Sequence, residues 1–135
     1  MSTGKAELVV SDETGLQRAL GYVNHIFADR TETHLTMDDR HTNRHGTLHG
    51  GIFTMLLDSA CGFSASRALS DDASQKVVTL TLTVNYLAQP KSDHVYAVGK
   101  VSRAGGSVVY SSGEVFDDEG TLLATGSGVF KRVRG

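Results

Sequence analysis

The chain has 135 residues, 39% of them hydrophobic and 21% charged, with 13 Lys and Arg against 15 Asp and Glu for a formal net charge of −2. That length suits one domain with a core of its own, the composition excludes a disordered chain, and the slight acidity excludes an electrostatic footprint for nucleic acid. A single cysteine, Cys61, excludes an internal disulfide and a multi-thiolate zinc site, and no apolar run reaches the ~18 residues of a membrane span or forms an N-terminal signal core, so a cytoplasmic domain with no membrane partner is expected.

In chain order, residues 1–10 read as a loose arm, and Ser11-Asp12-Glu13 as the capped, acidic start of a short helix through Ala19. Two short strands follow at residues 21–28 and 31–37, with Asp29-Arg30 at the turn between them. Residues 38–51 are polar and glycine-bearing, which predicts a loop. Residues 52–69 are then apolar on nearly every side of a helix, the pattern of a helix buried all round. After it the period changes: Val78, Leu80, Leu82, Val84 and Tyr86 alternate with Thr79, Thr81, Thr83 and Asn85, as in a strand. Further strands are predicted at residues 94–103, 107–116 and 121–131, joined by the glycine-bearing turns 104–106 and 117–120. Two strands, one buried helix and then a four-strand meander, with no linker or repeat, make one α+β domain: an antiparallel sheet of five or six strands wrapped around one long central helix. Such a sheet leaves a face and edges uncovered, so self-association is expected.

The residues that carry chemistry lie between Asn43 and Asp58. His49-Gly50-Gly51 stands where a loop becomes the buried helix, and the first N–H groups of a helix have no internal partners and sit at its positive end. Glycine there lets a ligand approach the backbone, so such an end can hold an anion or stabilise an oxyanion. Two turns on, Asp58 is an acid in an apolar stretch and needs a partner or a task. Taken alone, these features also fit a tight helix entry and a structural carboxylate bonded to Ser59 or a nearby loop. His41, His45 and His49 are spaced four apart, as zinc ligands on a helix would be, but Gly46 and the polar loop composition argue against a helix there, and no metal is expected. His34 and His94 read as strand residues, Cys61 as a small buried hydrophobe, and no Gly-x-Ser-x-Gly elbow supports a serine hydrolase. Arg103, Lys131, Arg132 and Arg134 are candidate phosphate partners, and equally solvated charges at strand ends.

The run Asn43-Arg44-His45-Gly46-Thr47-Leu48-His49-Gly50-Gly51, followed by Leu56-Leu57-Asp58, resembles the signature of hotdog-fold acyl-CoA thioesterases, and within them the PaaI (phenylacetic acid degradation) type. Residues 77–87 are similar to that family's long central strand. The resemblance implies a hotdog closure of the sheet and hydrolysis of acyl-CoA thioesters carrying an aryl or medium-chain acyl group, with coenzyme A a part of the substrate and no separate cofactor. It further implies that Asp58 is the general base or nucleophile, that the Gly50 N–H polarises the thioester carbonyl, and that Asn43, His49 and Thr79 position the reacting groups. Gly51, Thr81 and Arg103 would contact substrate. A homodimer assembling into a homotetramer is implied, with sites at subunit interfaces. A non-catalytic acyl-CoA-binding protein and an enoyl-thioester dehydratase or hydratase are the alternatives on the same fold.

Overall fold

The computed structural model describes residues 4–134. Its elements are β1 (Leu8–Val10), α1 (Gly15–Leu20), β2 (Val23–Ile26), β3 (Thr31–Thr36), a short 3-10 turn (Asp39–His41), α2 (Gly50–Leu69), β4 (Val77–Tyr86), β5 (His94–Ala104), β6 (Val108–Asp117) and β7 (Leu122–Arg132). All strands join one antiparallel sheet in the order β1-β2-β3-β5-β6-β7-β4, and α2 packs across it as the hotdog arrangement requires. None of the described helices is long and apolar enough to cross a membrane.

Three expectations change. The sheet has seven strands rather than five or six, because Leu8–Val10 pairs with β2 instead of lying in a loose arm; residues 1–3 of that arm lie outside the described residues. The first helix starts later than Ser11: Thr14 is its cap, accepting the Gln17 N–H at 3.1 Å, and Asp12 instead takes a left-handed φ of 56° in the preceding turn. The chain after α2 does not run as a four-strand meander either. β4 pairs only with β7 at the far edge, while β5 crosses back to lie between β3 and β6.

The core explains the helix composition. Phe53, Leu56, Leu57, Ala60, Cys61 and Ala65 are buried against Leu35, Val95, Ala97, Val115, Leu123 and Phe130 of the sheet. A fully buried Leu or Phe side chain contributes about 1.5–3 kcal/mol relative to exposure. The helix sits deep because glycines lie beneath it: an added Cβ on Gly99 would stand 2.6 Å from the Ala60 carbonyl carbon, and one on Gly113 2.9 Å from Leu57 Cδ2. Ser64 Oγ fastens the same region, donating to the Gly99 carbonyl at 2.8 Å.

On the opposite face of the sheet, alternation along β2, β3 and β5 gathers His25, His34, His94 and Tyr96 around Glu32. His34 bonds to Glu32 at 3.0 Å through Nε2 and to His94 at 2.7 Å through Nδ1, stacks on Tyr96 at 5.0 Å, and meets the edge of the His25 ring. Burial, opposed by Glu32, holds the His34 pKa below its ordinary value. A histidine with a depressed folded pKa binds fewer protons folded than unfolded, so its contribution to stability is present above its unfolded pKa and is lost as pH falls from there towards the folded one. The thermal midpoint is therefore expected to fall between about pH 7 and pH 5.5 in the wild type, given an unfolded pKa of ~6.5. His34→Asn should flatten that slope, and an equal slope in the variant would remove His34 as its source.

Candidate active site

The loop before α2 is shaped by Asn43. Its side-chain Oδ1 accepts the His45 N–H at 2.9 Å, the Thr47 N–H at 3.2 Å and the Thr47 hydroxyl at 3.1 Å, while Gly46 supplies the left-handed φ of 78° that closes the turn. Leu48 is buried beneath, its N–H bonded to Gln89 Oε1 at 3.0 Å. His49 then caps α2: its ring Nδ1 accepts the Gly51 N–H at 2.8 Å, which requires the neutral ring to carry its proton on Nε2. Gly51 and Ile52 are thus satisfied at the helix start, the latter by the His49 carbonyl. The Gly50 N–H has no acceptor among the described residues and remains the donor at the positive helix end. Tyr86 stands over this point, its ring 3.5 Å from where a Gly50 Cβ would lie and its hydroxyl bonded to Thr54 Oγ1 at 2.7 Å.

Asp58 lies elsewhere. Eight residues along α2 from Gly50 put it about 12 Å further down the helix axis. The structure brings Asp58 together with Thr79, whose hydroxyl donates to Asp58 Oδ1 at 2.6 Å. That contact depends on an irregularity in β4. Thr79 pairs with Phe130 and Thr81 with Val129, leaving Leu80 as an extra residue. The bulge shifts the alternation, so Thr79 shares the helix side with Leu82 and Val84, while Thr81 lies with Thr83 and Asn85 on the other face. Ser59 does not bond to Asp58; its hydroxyl donates to the buried Asn24 Oδ1 at 2.8 Å, which also accepts from Thr33.

Asp58 and Thr79 open into a cleft of about 590 Å³ between α2, the start of β4 and β1. Its floor includes Gly62, Phe63, Val77 and Phe130, and its cation is Lys76, which the sequence did not mark out. Arg103 is exposed near the end of β5 opposite Tyr110 and does not line this cleft, and Arg132 is paired with Val77 at its border. Burial and the Asp58 charge push the Cys61 thiol up to about 12, which leaves it no role as a nucleophile at neutral pH. His41 is a buried strut, bonded to the Leu20 carbonyl and the Asp38 N–H, and no metal-binding group of three His, Cys, Asp or Glu forms among the described residues. Tyr86 and Thr54 are the neighbours of the helix end that sequence reasoning passed over; only the strand parity beyond the bulge would have aimed Tyr86 at Gly50.

Chemically, then, one chain presents two half-arrangements: a free N–H at a positive helix end beside a capping imidazole, and a carboxylate with a hydroxyl partner at the mouth of a cleft. Residues 45–124 match the thioesterase superfamily. A Halobacterium salinarum protein provisionally assigned as an esterase is 34% identical over 95 residues, 66% of this chain and 62% of that one, so the match spans less than two thirds of this relative's length. The 1,4-dihydroxy-2-naphthoyl-CoA hydrolase of Escherichia coli is 31% identical over 101 residues, 75% of this chain and 73% of the hydrolase. Among solved structures, a Bacillus halodurans protein crystallised with CoA superposes with a TM-score of 0.72 at 31% identity, covering 78% of this chain and 69% of that one. The Escherichia coli PaaI protein from the phenylacetic acid degradation operon superposes at 0.80, over 92% and 88% of the two chains; at 18% identity that likeness concerns the fold alone.

Proposed function

The chain belongs to the thioesterase superfamily, and we propose that it hydrolyses acyl-CoA thioesters, of the PaaI type and with an aryl or medium-chain acyl group, to the free acid and CoA. The observation that carries this reading is the 2.6 Å bond between Thr79 and Asp58 at the mouth of a cleft large enough for a small ligand.

Asp58 is the reacting carboxylate. It draws a proton from water as the water attacks the thioester carbonyl, or it attacks that carbon itself and forms a mixed anhydride that water then opens. Either path expels the CoA thiolate, a good leaving group, so no metal is needed. Thr79 fixes the carboxylate's orientation. The oxyanion formed on the carbonyl is met by the Gly50 N–H, and one such donor is worth about 2.7–4 kcal/mol of barrier. His49 holds the helix start in shape, and Asn43 holds the loop that leads to it.

Since Gly50 and Asp58 of one chain stand about 12 Å apart on a rigid helix, they cannot serve the same carbonyl. The second copy supplies the missing half. β4 offers the means: it is an edge strand of 10 residues with Val78, Leu80 and Tyr86 exposed along it, a surface that soluble chains cover. The reading therefore includes a homodimer with two composite sites, and the homotetramer as a pair of such dimers.

Thiol release from a panel of acyl-CoAs tests the reaction. Turnover of phenylacetyl- or benzoyl-CoA is expected, at a rate per chain that falls when the protein is diluted below its dimer dissociation constant. No release across aromatic, short and long acyl groups by a folded oligomer would leave a binding protein, or an enzyme acting on enoyl thioesters.

A further inference from the structure

Glycine is the poorest helix former after proline, yet Gly62 sits in the middle of α2. Packing explains the glycines under the helix. Gly99, Gly113 and Gly128 each have a neighbour within 3.0 Å of an added Cβ, and Gly126 has Leu57 Cδ1 at 3.1 Å. Packing does not explain Gly62. A Cβ there would meet only Phe130, at 3.5 and 3.9 Å, which is ordinary contact beside open space. The fold would accept alanine, and a helix would be improved by it.

The position of Gly62 supplies a reason. It lies one turn, about 6 Å, beyond Asp58 and lines the same cleft. Phe63 and Val77 line it as well, and the Phe130 ring edge lies beneath the missing side chain. The lining thus sets an apolar patch of Gly62, Phe63, Val77 and Phe130 one helical turn from the carboxylate–hydroxyl pair, with polar groups such as Ser66 and Lys76 elsewhere around the cleft. An acyl chain whose carbonyl is held at Asp58 would lay its next few carbon atoms over position 62.

We infer that Gly62 is a specificity-determining residue: its missing side chain, above Phe130 and beside Phe63, forms a slot that takes the aromatic ring of an aryl-acyl thioester. This rests on the hydrolase reading given above. A ring placed a few bonds from the carbonyl fills the space that a side chain would otherwise occupy, whereas a two- or three-carbon acyl group ends before reaching it. Gly62 thus separates aryl from short acyl groups by space alone and takes no part in the chemistry.

Gly62→Ala and Gly62→Leu test the slot, because neither residue opposes a helix and both variants should fold with a thermal midpoint at or above that of the wild type. The ratio of kcat/KM for phenylacetyl-CoA to that for propionyl-CoA is expected to fall severalfold in Gly62→Ala and at least tenfold in Gly62→Leu, with propionyl-CoA turnover kept. An unchanged ratio in both would overturn the slot, and so would a loss of aryl turnover accompanied by a change of oligomeric state on sedimentation, which would place Gly62 in a subunit contact. Phenylacetate binding, followed by saturation-transfer NMR, reads the slot without any reaction. It should be seen with the wild type and lost in Gly62→Leu, and absent or unaltered binding would overturn the proposal. A wild type that binds phenylacetate in this way but releases no thiol would end the hydrolase reading and leave the slot standing.

Discussion

Asp58→Asn is expected to lower kcat/KM for acyl-CoA hydrolysis by about 10²–10⁴-fold, the usual worth of a positioned general base. The substitution isolates the proton-accepting role. An asparagine is nearly the same size, its carbonyl oxygen can still accept the Thr79 hydroxyl now found at 2.6 Å, and among the described residues the carboxylate of Asp58 holds no ion pair whose loss would unsettle the helix. Thermal unfolding of the variant should therefore stay close to the wild type while thiol release collapses. Substrate binding, measured by calorimetry with a thioether analogue, should be largely kept. Activity within a few-fold of the wild type would mean that another group activates the water, and that the Asp58–Thr79 pair is structural.

Gly99→Ala should be the most damaging single-methyl change in the fold, costing about 1–3 kcal/mol and lowering the thermal midpoint by roughly 5–10 °C. The methyl would have to fit where the Ala60 carbonyl carbon, its oxygen and the Cys61 nitrogen lie at 2.6–2.7 Å. These are backbone atoms at the centre of a 20-residue helix, so no side chain can turn aside to make room. The helix must lift or β5 must bend. Lifting it would also draw Asp58 away from Thr79, two residues before Ala60, so activity measured well below the midpoint should fall too. Differential scanning calorimetry beside thiol release checks both effects, and an unshifted midpoint would show that α2 is not seated on Gly99.

The sequence made the large elements legible because each has a period of its own. The all-round apolar composition of α2 and the alternation of residues 78–86 left little room for another reading. What it hid are features decided by partners far away in the chain. The edge position of β4 follows from the crossing of β5 to β3, and no local pattern encodes which strand lies next to which. Leu8–Val10 is too short to show a period, and it forms a strand because β2 offers it an edge. At the first helix, Ser11 and Thr14 are both good caps; the left-handed turn at Asp12 decided between them. In the candidate site, the Asn43 to Asp58 motif named the residues to follow, but a motif lists residues in a line. It could not show that Gly51's N–H is taken by His49, that Tyr86 closes over Gly50, or that Arg103 stands apart from the cleft that Lys76 lines.

The run Thr79-Leu80-Thr81-Leu82-Thr83 reads identically after a shift of two residues, so three threonines are chemically equivalent candidates for the post beside Asp58. Side-chain preference cannot choose among them. The choice is made by where β4 carries its one unpaired residue against Phe130 and Val129, since only a threonine before that point faces the helix while Leu82 still faces it after. The address of the hydroxyl that meets Asp58 is therefore written in the count of main-chain hydrogen bonds. Without that extra residue, and with Leu82 still facing the helix, Thr79 would turn to the other face and away from Asp58 without a single substitution.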